Sequence, residues 1–485
     1  MLKNRLFIIS LSIITLFSVL FCQLPYVTAV EDELKSATEE VKSAADEEKE
    51  TKASDKKADD KKAEETAPKK GQKPVIPENE TAILIDGISG AVLFEKDADR
   101  RMYPASTTKV MTAIVAFEAI ERGEFSKDDM ILVTEEMLAD ADIDGSNIAL
   151  KPGEEMSLHN LIKGMLIASG NDAASAIATH IGGTKSAFVD MMNAKASELG
   201  LSNTHFVNPD GIHNDDHYTT ASDMAKIALY AMKKFDFRDI VDCAHIKIPP
   251  TNLSPERYYI NTNGLLSTMR YLDYAYKGAN GVKTGYTGKA GNCLVSSVKR
   301  DRMEFIGVLF GGKDVIASHK DSIQMFDWAF ENLTSATPIL KGSLVCEIKV
   351  RQGKGTDSIP LSAATDGTVI IPKGTNTDDL EFKYDIPEYT TAPVKENDKI
   401  GSVTITHNGQ PLTTCDLLAS TNVDRSFFWP VMAVGSFLWE NTITRILVIL
   451  VLIAVALFLL LFIAGIYKNL KRAGKHRKAR HNKER

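Results

Sequence analysis

The distribution of apolar and polar positions predicts that the middle of the chain begins with a β-hairpin and a buried helix. Residues 82–85 and 91–94 are apolar runs on either side of Gly-Ile-Ser-Gly at 87–90, a pattern typical of two strands and a tight turn. Residues 109–120 follow Pro104 and are apolar and helical in character. A second helix is predicted at 158–168, where the apolar positions form a helical stripe: Leu158, Leu161, Ile162, Met165 and Leu166.

Three strand-like runs and a helix close this part of the chain. The runs at 281–286, 292–298 and 304–310 are separated by glycine-rich or charged turns, and residues 319–333 have a helical pattern. Together with the first hairpin they predict an α+β domain over residues 77–335, in which helices pack on the faces of an antiparallel sheet.

Residues 336–424 have a different pattern. Short apolar runs such as 344–350, 368–371 and 400–406 are interrupted by Gly, Pro, Asn and Asp. We expect a small all-β domain here.

The N-terminus has the features of an export signal. Lys3 and Arg5 precede an uncharged run at 6–21, and small residues at 27–29 offer a cleavage site, so residues 1–29 are predicted to be a signal peptide. Lipid attachment at Cys22 is the less favoured alternative, because the bulky Phe21 precedes it.

Residues 30–76 are predicted to be a disordered charged spacer. They consist mainly of Glu, Asp, Lys, Ala, Ser and Thr. Such a composition buries too little apolar surface to offset the entropy lost on ordering.

The C-terminal end predicts a membrane anchor. Residues 446–466 are 21 residues without a charge, and at about 1.5 Å per residue a helix of that length crosses about 30 Å of hydrocarbon. The tail at 467–485 carries nine Lys or Arg against one Glu, which places it in the cytoplasm and the folded domains outside a single-pass cell-membrane protein. The aromatic segment at 425–445, interrupted by Pro430, is expected at the outer membrane interface.

Composition and charge exclude several classes of protein. The 485 residues carry 57 basic and 64 acidic side chains, a net charge of −7 that argues against a nucleic-acid-binding protein. The tail contributes +8 and residues 1–29 contribute +2, so residues 30–467 carry −17. Five cysteines are too few for a disulfide scaffold, although Cys346 and Cys415 share the β domain and could form one bond.

Three short motifs suggest nucleophilic catalysis when they are taken together. They are Ser-Thr-Thr-Lys at 106–109, Ser-Gly-Asn at 169–171 and Lys-Thr-Gly at 283–285. Ser-x-x-Lys also occurs at 54–57 and 296–299, so one match alone has little specificity. The order of the three motifs, at a helix start, between two helices and on a strand, is much more specific.

The first motif has the chemistry of a nucleophile with its base. Ser106 and Lys109 share one face of a helix, and the helix N-terminus favours an alkoxide at the serine. The lysine can act as a base only when it is neutral, which requires burial or a nearby cation such as Lys283.

The other two motifs can orient a substrate. Ser169 would relay protons and Asn171 would hold a substrate amide. On the strand, Lys283 and Thr284 suit a terminal carboxylate. The absent side chain of Gly285 lets a substrate backbone pair with the strand edge, and the backbone N–H groups of Ser106 and Tyr286 are candidate oxyanion donors.

With their flanking residues, these motifs resemble those of the D-alanyl-D-alanine carboxypeptidase family of low-molecular-mass penicillin-binding proteins, active-site serine penicillin-recognising enzymes. The similar segments are residues 103–109, 150–153, 169–174 and 281–285, and the resemblance extends over 77–424. It implies a fold like that of serine β-lactamases and DD-peptidases, with an additional C-terminal β domain. Tyr286 departs from relatives that have His or Thr at this position.

The resemblance implies an enzyme of cell-wall peptidoglycan synthesis that needs no cofactor. It would remove the terminal D-alanine of stem pentapeptides through an acyl-enzyme on Ser106, and β-lactam antibiotics would inhibit it covalently. The implied catalytic residues are Ser106, Lys109 and Ser169, and the implied substrate-binding residues are Asn171, Lys283, Thr284, Gly285 and Tyr286.

Three alternatives remain open from the sequence. A β-lactamase is less favoured, because no Glu-x-x-Leu-Asn follows Ser169. A DD-endopeptidase or transpeptidase would differ only in substrate or acceptor, and a non-catalytic wall-binding protein would not need Ser106. A metal site is not favoured either, because a polar cluster in one loop lacks ligand spacing: Asp210, His213, Asp215, Asp216 and His217.

Overall fold

The computed structural model of the protein describes residues 72–139, 145–271, 273–427 and 442–481. The predicted signal peptide at 1–29, residues 30–71 of the predicted spacer and residues 428–441 of the predicted interfacial segment lie outside the described residues.

The strands of the described part are numbered here in chain order. They are β1 Thr81–Asp86, β2 Val92–Lys96, β3 Met130–Leu132, β4 Glu155–Ser157, β5 His245–Ile248, β6 Arg257–Ile260, β7 Ala279–Thr287, β8 Gly291–Arg300, β9 Met303–Gly312, β10 Leu333–Ile339, β11 Leu344–Arg351, β12 Ser358–Ala363, β13 Gly367–Pro372, β14 Glu381–Asp385, β15 Tyr389–Thr391, β16 Lys399–His407 and β17 Gln410–Ala419.

The α-helices of the described part are numbered in the same way. They are α1 Lys109–Glu121, α2 Glu135–Leu138, α3 Leu158–Ile167, α4 Asn171–Gly182, α5 Lys185–Glu198, α6 Ala221–Met232, α7 Phe235–Val241, α8 Val315–Asn332 and α9 Thr442–His481, with short 3₁₀ segments at Ala105–Thr108 and Thr377–Asp379.

A five-stranded antiparallel sheet, with strand order β2-β1-β9-β8-β7, forms the framework of the first domain. Helices cover both of its faces. Ile83 and Val308 belong to the apolar core that contains α1 and α6, whereas Leu84 and Leu309 pack with Phe326 of α8. Alternate side chains therefore enter two separate cores, which confirms the predicted sheet with helices on its faces.

The helix α1 runs through the larger core. Ten of its thirteen residues are buried, so it is apolar on nearly all sides and shows no amphipathic stripe. The predicted stripe of α3 is buried as expected, and Ser157 caps this helix by accepting a hydrogen bond from the N–H of Asn160. The closing helix α8 starts at Val315 instead of 319, because Asp314 Oδ1 caps it by accepting from Ala317 N–H at 2.8 Å.

The C-terminal β domain contains a six-stranded sheet of order β14-β16-β17-β12-β11-β15. A further antiparallel pair, β10 with β13, completes it, and β10 crosses the predicted boundary at 335/336. Cys346 and Cys415 are both free thiols, so the disulfide left open by the sequence is not formed.

The apolar C-terminal segment forms the long helix α9. Within it, Arg445–Lys468 is 24 residues, long and apolar enough to cross a membrane. Elsewhere in the described part of the chain no helix meets this criterion.

Candidate active site

The motif residues meet at a cavity of about 600 Å³ beside the edge strand β7. The 3₁₀ turn before α1 forms one wall and β7 the opposite wall. The sequence-predicted residues that line the cavity are Ser106, Asn171, Thr284, Gly285 and Tyr286.

Ser106 lies in the 3₁₀ turn Ala105–Thr108, which leads directly into α1. The sequence predicts that it lies at the start of an α-helix, but the tighter turn brings it closer to its partner, because side chains three residues apart eclipse in a 3₁₀ turn. The Ser106 hydroxyl accordingly lies 2.9 Å from Nζ of Lys109.

Lys109 is fully buried and its amine is held by three oxygen atoms. Nζ donates to Ser106 Oγ at 2.9 Å, to Asn171 Oδ1 at 2.7 Å and to the Asp210 carbonyl at 2.7 Å. Burial lowers the pKa of Lys109 to about 8, although the carboxylates of Asp210 and Asp172 oppose this shift. Burial alone therefore allows part of the Lys109 amine to be neutral near physiological pH.

The Ser-Gly-Asn motif forms the turn between α3 and α4. Ser169 is buried in the left-handed region at φ +63°, and the Asn171 N–H donates to the Ser146 carbonyl at 2.7 Å. Asp172 accepts hydrogen bonds from the backbone of Ile148 and Leu150 and so anchors the adjacent wall. The Asn171 amide contacts the lysine, whereas the Ser169 hydroxyl is not among the three oxygen atoms that hold it.

The Lys-Thr-Gly motif lies on β7, whose free edge faces the nucleophile turn. A Cβ on Gly285 would lie only 2.9 Å from the backbone nitrogen of Ser106. Lys283 is 1% exposed and Nζ donates to the Thr284 carbonyl at 2.9 Å. Burial, followed by the nearby charge of Lys109, holds the pKa of Lys283 well below its usual value.

The polar loop after Pro209 packs against the nucleophile turn. Asp210 supplies its backbone carbonyl to Lys109, and His217 is buried with Nε2 2.8 Å from the Thr108 hydroxyl. His213 lines the cavity and pairs with Asp215 at 3.3 Å. Within the described ranges no group of three or more His, Cys, Asp or Glu has the arrangement of a metal site.

Sequence reasoning missed several cavity residues from one loop and from α8. Arg270 and Thr262 line the cavity, as does His319, which is buried. His319 Nδ1 donates to the Val315 carbonyl at 2.7 Å, and Nε2 accepts from the N–H of Gly264 at 3.1 Å. Thr262 and Arg270 stand in a segment without a recognised motif. His319 begins the helix predicted at 319–333, but a helical pattern alone does not indicate a site residue.

Comparison with protein families gives two matches. Residues 68–314 match the model of the family described as D-alanyl-D-alanine carboxypeptidase. Residues 334–425 match the model described as the C-terminal domain of penicillin-binding protein 5.

Similar proteins include two D-alanyl-D-alanine carboxypeptidases. The D-alanyl-D-alanine carboxypeptidase DacF of Bacillus subtilis is 32% identical over 72% of this chain and 87% of its own length. DacA of Escherichia coli is 30% identical over 73% of this chain and 87% of its own length. Among solved structures, penicillin-binding protein 5 of Haemophilus influenzae is 29% identical, with a TM-score of 0.62 over 73% of this chain and all of the other.

Proposed function

Because the chain belongs to the D-alanyl-D-alanine carboxypeptidase family, we propose that Ser106 is the residue on which it forms its acyl-enzyme. The protein is a penicillin-binding serine hydrolase with the fold of that family. One observation carries the assignment: the buried amine of Lys109 lies 2.9 Å from the Ser106 hydroxyl.

In the acylation step Lys109 acts as a general base. Its neutral amine takes the proton of Ser106, and Oγ attacks the carbonyl carbon between the two terminal D-alanines of a peptidoglycan stem peptide. The C–N bond then breaks, and the departing D-alanine takes the proton from Lys109. A β-lactam ring opens by the same attack, but no leaving group departs.

The edge of β7 is the proposed substrate-binding strand. A substrate backbone would pair with the edge at Gly285, and the negative charge on the attacked carbonyl oxygen would be stabilised by the N–H groups of Ser106 and Tyr286. Thr284 lines the cavity and would contact the terminal carboxylate. The negative charge of that carboxylate would stabilise the protonated form of the buried Lys283, which precedes Thr284 on the strand.

Water completes the reaction by releasing the shortened peptide from Ser106. Lys109 would again accept and donate the transferred proton, and Ser169 would act as the relay. Asn171 accepts a hydrogen bond from the Lys109 amine, and this contact supports a role in orienting the base. Its position on the cavity wall supports a contact with the substrate amide.

Release of D-alanine tests the function directly. The full chain in detergent is incubated with an N-acylated peptide that ends in D-alanyl-D-alanine, and free D-alanine is measured. We expect release by the native chain and none by Ser106→Ala. If Ser106→Ala released D-alanine at the native rate, the assignment would be wrong. Penicillin that is hydrolysed over many turnovers, without accumulation of an adduct, would favour a β-lactamase instead.

We also propose that the catalytic domain at 77–335 and the β domain at 336–424 face the outside of the cell membrane. The apolar stretch Arg445–Lys468 supports a single span, and the basic residues after it support a cytoplasmic C-terminus. Protease added to intact cells should digest the catalytic domain but leave an epitope at residue 485 protected. Digestion of that epitope in intact cells would contradict this topology.

A further inference from the structure

A chain of three hydrogen bonds leads from a neighbouring loop to the nucleophile turn. The backbone N–H of Val207 donates to Nδ1 of His217 at 3.2 Å. Nε2 of His217 lies 2.8 Å from the Thr108 hydroxyl, which in turn donates to the carbonyl of Ala105 at 2.8 Å. This series of hydrogen bonds thus ends at the carbonyl of Ala105, the residue directly before Ser106.

The direction of each hydrogen bond in this chain is fixed. A backbone N–H can only donate, so Nδ1 of His217 accepts and the proton of the neutral ring is on Nε2. Nε2–H therefore donates to Thr108 Oγ1, and the hydroxyl proton of Thr108 points to Ala105. His217 is 2% exposed, and burial lowers its pKa to about 3, so the ring stays neutral while the enzyme works.

We propose that His217 and Thr108 are positioning residues that orient and polarise the peptide group between Ala105 and Ser106 as an oxyanion donor. The carbonyl of Ala105 and the N–H of Ser106 belong to one conjugated amide. A hydrogen bond accepted by its oxygen therefore strengthens its N–H as a donor. This inference rests on the proposed role of Ser106.

The same peptide group is held from two further directions. A Cβ on Gly211 would lie 1.9 Å from the Ala105 carbonyl oxygen, so the loop backbone packs directly against it. On the other side, a Cβ on Gly285 would lie 2.9 Å from the Ser106 nitrogen. Ala105 has φ +47°, a left-handed conformation that non-glycine residues rarely adopt, so the amide needs such external support.

Substitutions of Thr108 distinguish the effect of its hydrogen bond on the Ala105–Ser106 amide from the effect of its side-chain volume. Thr108→Val keeps the volume but removes the hydroxyl, whereas Thr108→Ser keeps the hydroxyl. With a β-lactam as probe, we expect the acylation rate constant of Thr108→Val to fall about ten-fold while the affinity of the preceding non-covalent complex stays within about two-fold. Thr108→Ser should stay within about two-fold of the native rate.

The acyl-enzyme carbonyl gives a spectroscopic readout that a purely structural role would not change. In infrared difference spectra, a weaker oxyanion donor shifts the ester carbonyl stretch to higher wavenumber. We expect this shift in Thr108→Val and not in Thr108→Ser. If the ester carbonyl stretch of Thr108→Val had the native wavenumber and its acylation rate were also native, the inference would be overturned.

A second pair of variants decides the matter if Thr108→Val does not fold. His217→Gln offers an amide N–H to Thr108 and should retain most of the acylation rate, whereas His217→Leu should lose about ten-fold. Equal rates in this pair would overturn the inference. A native chain that forms no adduct on Ser106 would instead mean that the proposed function itself is wrong, so the two failures are distinguishable.

Discussion

Nζ of Lys109 lies 2.9 Å from Oγ of Ser106, and the lysine is the first residue of a helix that is almost completely buried. Burial penalises its ammonium form more than the neighbouring carboxylates stabilise it, so the pKa falls to about 8. The arrangement thus provides a nucleophile and, within hydrogen-bond distance, an amine that can lose its proton near neutral pH.

The pH dependence of acylation follows from this pKa. Only the neutral amine can accept the Ser106 proton, so the rate constant should rise about ten-fold per pH unit well below pH 8 and level off above it. Stopped-flow acylation by a β-lactam between pH 6 and 9 measures the profile. A rate that falls as the pH rises through this range would contradict the role of Lys109 as base.

Asn171→Asp should move that profile. It places a carboxylate at the position of Asn171 Oδ1, 2.7 Å from the Lys109 amine, and an adjacent negative charge stabilises the ammonium form. The pKa of Lys109 should rise, so half-maximal acylation shifts at least about one pH unit upward and the rate at pH 7 falls about ten-fold or more. Asn171→Ala is the control, because it removes the contact without adding charge. If the pH profile of acylation were the same in Asn171→Asp as in the native protein, this electrostatic explanation would be ruled out.

Gly285→Ala tests how closely β7 approaches the nucleophile. The added methyl group would lie 2.9 Å from the Ser106 nitrogen and 3.1 Å from the Pro104 carbonyl, so the strand or the turn must shift. We expect acylation to fall about 100-fold, because the shift displaces an oxyanion donor. Gly288→Ala, three residues along the chain, has nothing within 4 Å and should acylate at the native rate. Equal acylation rates in the two variants would disprove the close approach.

Gly211→Ala tests how the loop supports the nucleophile turn. Gly211 has φ +89°, and a methyl group there would lie 1.9 Å from the Ala105 carbonyl oxygen. The strain of a left-handed backbone at alanine and the collision of its methyl group with the Ala105 carbonyl should together lower the free energy of unfolding by about 3 kcal/mol or more. Gly123→Ala is the control, because Gly123 also has a positive φ, +73°, but nothing within 4 Å of an added methyl group, so this variant should lose only about 1–2 kcal/mol. Thermal unfolding compares them, and similar midpoints would refute the collision.

The sequence predicted the framework of the first domain well where the pattern was strong. The apolar runs around Ile83 and Val308 place alternate side chains in two cores, and the stripe that begins at Leu158 faces one core, so the local apolar pattern was sufficient. The start of α8 was predicted four residues late, because the capping role of Asp314 depends on one side-chain hydrogen bond and not on hydrophobic periodicity.

The motif residues were predictable, but their supporting contacts were not. Ser106 and Lys109 are three positions apart, so local geometry brings them together. Asp210 accepts a hydrogen bond from Lys109 through its backbone carbonyl, 101 residues later in the chain, and every residue type has such a carbonyl, so the sequence does not indicate this contact. The sequence indicated the loop of His217 only as a polar cluster without metal-ligand spacing, because its packing against Thr108 depends on tertiary structure alone.

Mass spectrometry of the intact chain after reaction with benzylpenicillin shows whether Ser106 is the nucleophile. We expect that one penicillin is added to the native protein, that peptide mapping places it on Ser106, and that folded Ser106→Ala gains no mass. An adduct on Ser106→Ala, or an unmodified native protein that is folded, would contradict the assignment of Ser106 as the nucleophile.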